Sequence, residues 1–242
     1  MHAGILGVSR PDAAWGQTGI AEHLPVSRMH NGKMDAFLRN DQTSEIAAVA
    51  ARLVVEEGLE YATAKRHAGK QLGLSARAPW PDNLAMDAAV REHIAIFCAD
   101  TQPFELHALR ELALVWMARL DAFRPHLGGA VWQGTATRHS DIYLNLYGDD
   151  PKAVEWALLD QRVDYHTGSA PGNKGDAVDA LTVRARCDAL GQWVLVHLLV
   201  QDHDDLRGAL KPDAQGRRPR GDTAAVRALV ATEAPGQEGV TL

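Results

Sequence analysis

The sequence predicts an α+β fold, a helical N-terminal region followed by a sheet flanked by helices. Two observations carry that expectation. From about residue 42 to 123 apolar residues recur every three or four positions, as on amphipathic helices. From about 124 to 231 an alternation of period two takes over, with helical stretches between and after the strands.

Residues 1–41 are rich in Gly, Pro, His and Asn without sustained periodicity, and read as a flexible tail. Ile46, Val49, Ala50, Leu53 and Val54 then mark one face of a helix, and Gly58 stops it. A second, basic helix is expected over Tyr61–Leu72. After the break at Pro79-Trp80-Pro81, Asp82 is an N-cap candidate for a helix reaching Cys98, with Met86, Val90, Ile94 and Phe97 on its apolar face. Thr101 and Pro103 suit the start of a fourth helix, striped by Leu109, Leu112, Trp116, Leu120 and Phe123.

The pattern changes at Pro125. Gly128-Gly129 leads into Ala130–Trp132, which reads as a short strand. In the next strand Ile142, Leu144 and Leu146 point one way, and Asp141, Tyr143, Asn145 and Tyr147 the other. Asp150-Pro151 starts a helix that runs to about Leu159. A third strand is expected over Gln161–His166, a loop over Gly168–Gly175, and two further strands over Leu181–Cys187 and Trp193–Val200. A short helix near Asp205–Leu210, a basic loop from Lys211 to Arg220 and a last helix over Asp222–Ala231 complete the chain before a tail, 232–242.

Composition narrows the function classes. The 242 residues are 46% hydrophobic and 23% charged, in the ordinary range of folded domains. A net charge of −6 gives no overall basic field, so nucleic acid is not supported as a partner. No run approaches the roughly 18 apolar residues of a membrane helix, and no basic-then-apolar leader opens the chain. The two cysteines, Cys98 and Cys187, form neither a disulfide framework nor a zinc-ligand spacing, which points to a reducing, cytoplasmic setting.

Chemistry concentrates in the centre. Carboxylates on alternate positions of one strand share a face, and a third on a neighbouring strand can complete a site for two cations. The stretch Val131-Trp132-Gln133-Gly134-Thr135-Ala136-Thr137-Arg138, followed by Ser140-Asp141-Ile142-Tyr143-Leu144, resembles the signature of nucleotidyltransferases related to DNA polymerase beta. That signature is an apolar strand ending in Gly-Ser or Gly-Gly, a short helical segment, and Asp-apolar-Asp-apolar on a strand. After a helix comes an apolar-acidic-apolar strand, which Val163-Asp164-Tyr165 matches. The likeness spans about residues 104–166.

The resemblance implies a nucleotidyltransferase-like mixed sheet over 124–231, packed beside the helical region 42–123. It implies that Asp141 and Asp164 act as catalytic residues and hold Mg²⁺, while Gly134, Thr135 and Arg138 cradle the triphosphate of an NTP. The acceptor, a protein or a small molecule, is not specified. Tyr143 stands where the second carboxylate belongs, so the implied transfer is weak or lost. A non-catalytic nucleotide-binding, regulatory or protein-interaction protein that retains the fold is the alternative. Asp141 and Asp164 are expected on adjacent strands with their carboxylates on one face. The run Gly216-Arg217-Arg218-Pro219-Arg220-Gly221, flanked by Asp213 and Asp222, reads as a solvated loop, with a clamp for phosphates or RNA as the alternative.

Overall fold

The computed structural model describes residues 26–75, 77–172, 175–212 and 216–233, with the backbone alone for 26–39 and Pro151. Two compact units divide the chain, Met1–Arg39 and Asn40–Leu242. Of the first unit, only the helical backbone that opens α1 is described. All contacts below lie in the second.

Four helices come first: α1 (Val26–Glu57), α2 (Tyr61–Gln71), α3 (Asn83–Phe97) and α4 (Gln102–Arg119). Helix α1 begins at Val26, so the part of the expected tail from 26 to 41 is helical, and residues 1–25 lie outside the described residues. The Asp82 side chain caps α3 by accepting from the Ala85 amide at 2.8 Å. Ile46, Ala50 and Leu53 of α1 pack with Ala64, Ala68 and Met86 in one apolar cluster, where the i, i+4, i+7 spacing placed them.

The second half holds β1 (His126–Gly128), α5 (Gly129–Gln133), β2 (Ile142–Tyr147), α6 (Pro151–Asp160), β3 (Tyr165–Pro171), β4 (Ala177–Cys187) and β5 (Gln192–Gln201). A short helix α7 (Leu206–Ala209), β6 (Gly221–Asp222) and α8 (Thr223–Glu233) follow. The six strands form one mixed sheet in the order β3-β4-β5-β2-β1-β6. Only β2 and β5 pair in parallel; all other neighbours are antiparallel. One face of the sheet is apolar. Ile142, Leu144, Leu146, Val183, Val196 and Leu198 cluster there with Leu109 and Met117 of α4, Leu158 of α6 and Val226 of α8. The expected alternation along β2 is therefore observed.

Three local expectations are corrected. Ala130–Trp132 is helical, within α5, and the strand before it is His126–Gly128. Gly129, at φ 66°, turns the chain from strand to helix, so the strand ends at Gly128 and not at Trp132. The third strand begins at Tyr165 and continues to Pro171, through residues expected to form a loop. Its backbone pairs with β4 from Pro171↔Ala177 to Tyr165↔Val183, and that ladder extends a strand lacking apolar alternation. Among the described residues no helix is long and apolar enough to cross a membrane.

Candidate functional site

The face of the sheet opposite the apolar core carries the polar residues of β2. Register aligns one residue from each of five strands in a single row: Gly128 on β1, Tyr143 on β2, His197 on β5, Thr182 on β4 and His166 on β3. Directly paired residues point to the same face, so a row of this kind sets side chains in lateral contact. Asp141, two residues before Tyr143, projects from the same face at the start of β2.

Hydrogen bonds run along the row. Asp141 Oδ2 lies 3.2 Å from His197 Nε2, and Thr182 Oγ1 lies 2.9 Å from His197 Nδ1. A carboxylate only accepts, so Nε2 carries the proton donated to Asp141. In the neutral ring Nδ1 is then an acceptor, and the Thr182 hydroxyl donates to it. The Tyr143 ring stacks on the imidazole, with centroids 4.7 Å apart and planes inclined by 25°. Burial, and then the carboxylates of Glu60 and Asp141, push the Tyr143 phenol up to about 12, so it stays protonated at neutral pH. Gly129 belongs to the same packing, because a Cβ there would stand 3.3 Å from Tyr143 Cδ2.

This end of the sheet is braced from several sides. Arg110 on α4, only 3% exposed, donates from Nε to the Val131 carbonyl at 2.9 Å and from Nη2 to the Trp132 carbonyl at 3.1 Å, and it pairs with Glu233. Gln102 Nε2 donates to the Gly134 and Ala136 carbonyls. The Thr137 hydroxyl donates to the Val55 carbonyl of α1 at 3.1 Å. The basic loop is anchored here too. The Arg218 carbonyl accepts from Trp132 Nε1 at 2.7 Å, Arg217 lies 3.6 Å from Asp87, and Arg220 Nη1 lies 3.4 Å from the Tyr147 hydroxyl. Burial lowers His126, the neighbour of Tyr147 on β1, below its ordinary value.

The residues expected to form the site are only partly brought together. Asp141 joins the row through its contact with His197. Asp164 does not: it precedes β3, and β4 and β5 separate that strand from β2. Three strand steps amount to about 14 Å, so the two carboxylates are not on adjacent strands, and that expectation is corrected. The helix between their segments suggested a direct crossover, but β5 takes the place beside β2. Asp164 instead lines a cavity with Arg162, Arg184 and Arg186.

Gly134, Thr135 and Arg138 form structural contacts. Gly134, at φ 79°, ends α5, and the Thr135 amide closes that end by donating to the Ala130 carbonyl at 3.0 Å. The Arg138 amide donates to Glu105 Oε2 at 2.9 Å, its guanidinium lies 3.4 Å from Glu105, and its carbonyl accepts from Gln192. The strand that precedes α5 ends at Gly128, six residues upstream of Gly134.

His197, Thr182 and Glu60 were missed as site residues. His197 sits in an apolar run and reads as a core histidine; only the register with Tyr143 and Thr182 reveals its partners. No protein-family model matches the chain, and no curated protein or solved structure is similar to it.

Proposed function

We propose that this chain is a nucleotidyltransferase-like protein that binds a nucleotide on the polar face of its sheet without two-metal transfer. The observation that supports this reading is the order of parts around Asp141. Gly128-Gly129 ends β1, a five-residue helix follows, and Ser140-Asp141 leads into β2, which lies antiparallel to β1. α6 comes next, as the signature requires.

The resemblance implies Mg²⁺, and the residues present do not fit it. Asp141 is engaged by His197, Tyr143 is a neutral phenol, and Asp164 stands three strands away. Among the described residues no three His, Cys, Asp or Glu side chains converge as a metal-ligand set. Hard divalent cations take several oxygen ligands, and one carboxylate already bound to an imidazole is a poor start. What the row can do is hold a proton on His197 between Asp141 and the Thr182 hydroxyl, and offer a flat aromatic pair to a planar ligand.

Equilibrium binding of ATP and GTP to the full chain, in Mg²⁺ and in EDTA, tests this proposal alongside a pyrophosphate-release assay. The expected result is binding that ignores Mg²⁺, weakens in His197→Ala, and is accompanied by no pyrophosphate. Mg²⁺-dependent pyrophosphate release would restore the enzyme reading. Absence of nucleotide binding would leave a protein-interaction module, favoured by the exposed Trp156 and Leu159 on α6.

A further inference from the structure

β3 covers β4 only from Ala177 to Val183, so the edge of β4 from Arg184 to Cys187 has no β3 partner. A cavity of about 630 Å³ opens at that corner, between β4 and the C-terminal half of α4. Its wall carries Arg119 of α4, Arg162 of the turn after α6, and Arg184 and Arg186 of β4. Four arginines thus line one concavity in a chain whose net charge is −6.

Two of the four are oriented by aromatic rings. Arg184 Cζ lies 5.2 Å from the Trp193 ring centroid and Arg119 Cζ lies 5.0 Å from that of Trp116. Stacking of this kind restrains a guanidinium while leaving its N–H groups free to donate. Arg162 adopts φ 55°, a conformation that glycine or asparagine would take at lower cost.

Counter-charge is sparse. Asp164 lines the cavity, and Asp188 lies 3.4 Å from Arg186 with its side chain 94% exposed. Among the described residues Arg119, Arg162 and Arg184 have no carboxylate within ion-pair distance. Among the described residues these four cations are faced by two carboxylates.

We propose that this cavity binds a ligand bearing two or more adjacent phosphoryl groups, gripped by Arg119, Arg162, Arg184 and Arg186. Guanidinium forks match phosphate oxygens in pairs, and several forks around one concavity suit an oligophosphate better than a single carboxylate. The half-exposed Trp193 indole beside Arg184 offers a platform for a base. The four arginines lie outside the row of Tyr143 and His197, whose Thr182 and His166 also line the cavity, so the double variant below separates this proposal from the nucleotide reading.

The test is calorimetric titration of the full chain with inorganic pyrophosphate and with ADP, both free of metal. Pyrophosphate should bind one per chain, more weakly as salt rises. The double variant Arg162→Asn, Arg184→Gln should weaken it by about tenfold or more, the loss expected for charge-assisted contacts. Asn at 162 keeps the left-handed backbone, so the variant's melting temperature should match the parent's. Asp141→Asn should leave pyrophosphate affinity unchanged. ADP binding that is tighter than pyrophosphate and falls in the double variant identifies a nucleotide as the source of the phosphates, and equal affinities identify an inorganic oligophosphate. Pyrophosphate that fails to bind, or whose binding survives the double variant, overturns the proposal. So does a single-stranded oligonucleotide that displaces ADP.

Discussion

Asp141 and Asp164 occupy similar places in the sequence, each the last residue before a strand, and they end in opposite environments. Asp141 enters a hydrogen-bonded row with His197 and Thr182, at an end of the sheet braced by Arg110 and Gln102. Asp164 is exposed beside arginines at the corner where β4 outruns β3. A carboxylate ahead of a strand is therefore not enough to define a site. What it becomes depends on which strand lies beside it, and β5 intervenes between two segments that are close in sequence.

If the Asp141 end is a buried, wired structure and the Asp164 end an open binding corner, substitutions at the two ends should differ sharply in stability. The largest effect is expected from Arg110→Ala. It strips the donors from the Val131 and Trp132 carbonyls and leaves Glu233 without its partner. A loss of about 3 kcal/mol or more is expected, seen as a drop of roughly 10 °C in thermal melting. A melting temperature within error of the parent would show that the bracing is dispensable.

Gly129→Ala should come next. The residue sits at φ 66° with the Tyr143 ring close to the missing Cβ, and roughly 1–2 kcal/mol is the cost of a left-handed residue with a side chain. Chemical denaturation measures it directly, and a neutral result would mean the turn relaxes freely. His197→Ala removes both hydrogen bonds of the row and should cost about 1 kcal/mol. The same denaturation series should find Asp164→Asn within about 0.5 kcal/mol of the parent, as for an exposed surface residue. An Asp164 cost as large as that of His197 would erase the contrast between the two ends.

The pH dependence sharpens the same comparison. Tyr143 is raised from an ordinary 10.0 to about 12 in the folded protein, first by burial. Between these values the unfolded chain releases the proton and the folded one keeps it. The stability this group contributes is therefore complete below pH 10 and falls as pH rises toward 12. Tyr143→Phe should flatten part of that alkaline decline in denaturation midpoints; Tyr61, raised by burial and by Asp87, accounts for another part. A decline of unchanged slope in Tyr143→Phe would mean that the phenol is not buried as described.

The α+β class, the four N-terminal helices, the Asp82 cap, the start of α6 at Asp150, whose side chain accepts from the Lys152 amide, and the two faces of β2 were legible in the sequence. Each rests on residues within one or two turns or along one strand, so local periodicity and capping chemistry suffice. The strand order β3-β4-β5-β2 was not legible, because pairing joins residues as far apart as Tyr143 and His197 through backbone groups that every sequence shares. Gly128-Gly129 read as the lead into a strand, and only the pairing of Gly128 with Tyr143 placed it at the end of β1. The row of Asp141, His197 and Thr182, and the arginines gathered around Asp164, exist only once the sheet has formed. Register, which the alternating pattern constrains to one face but not to one partner, decided both.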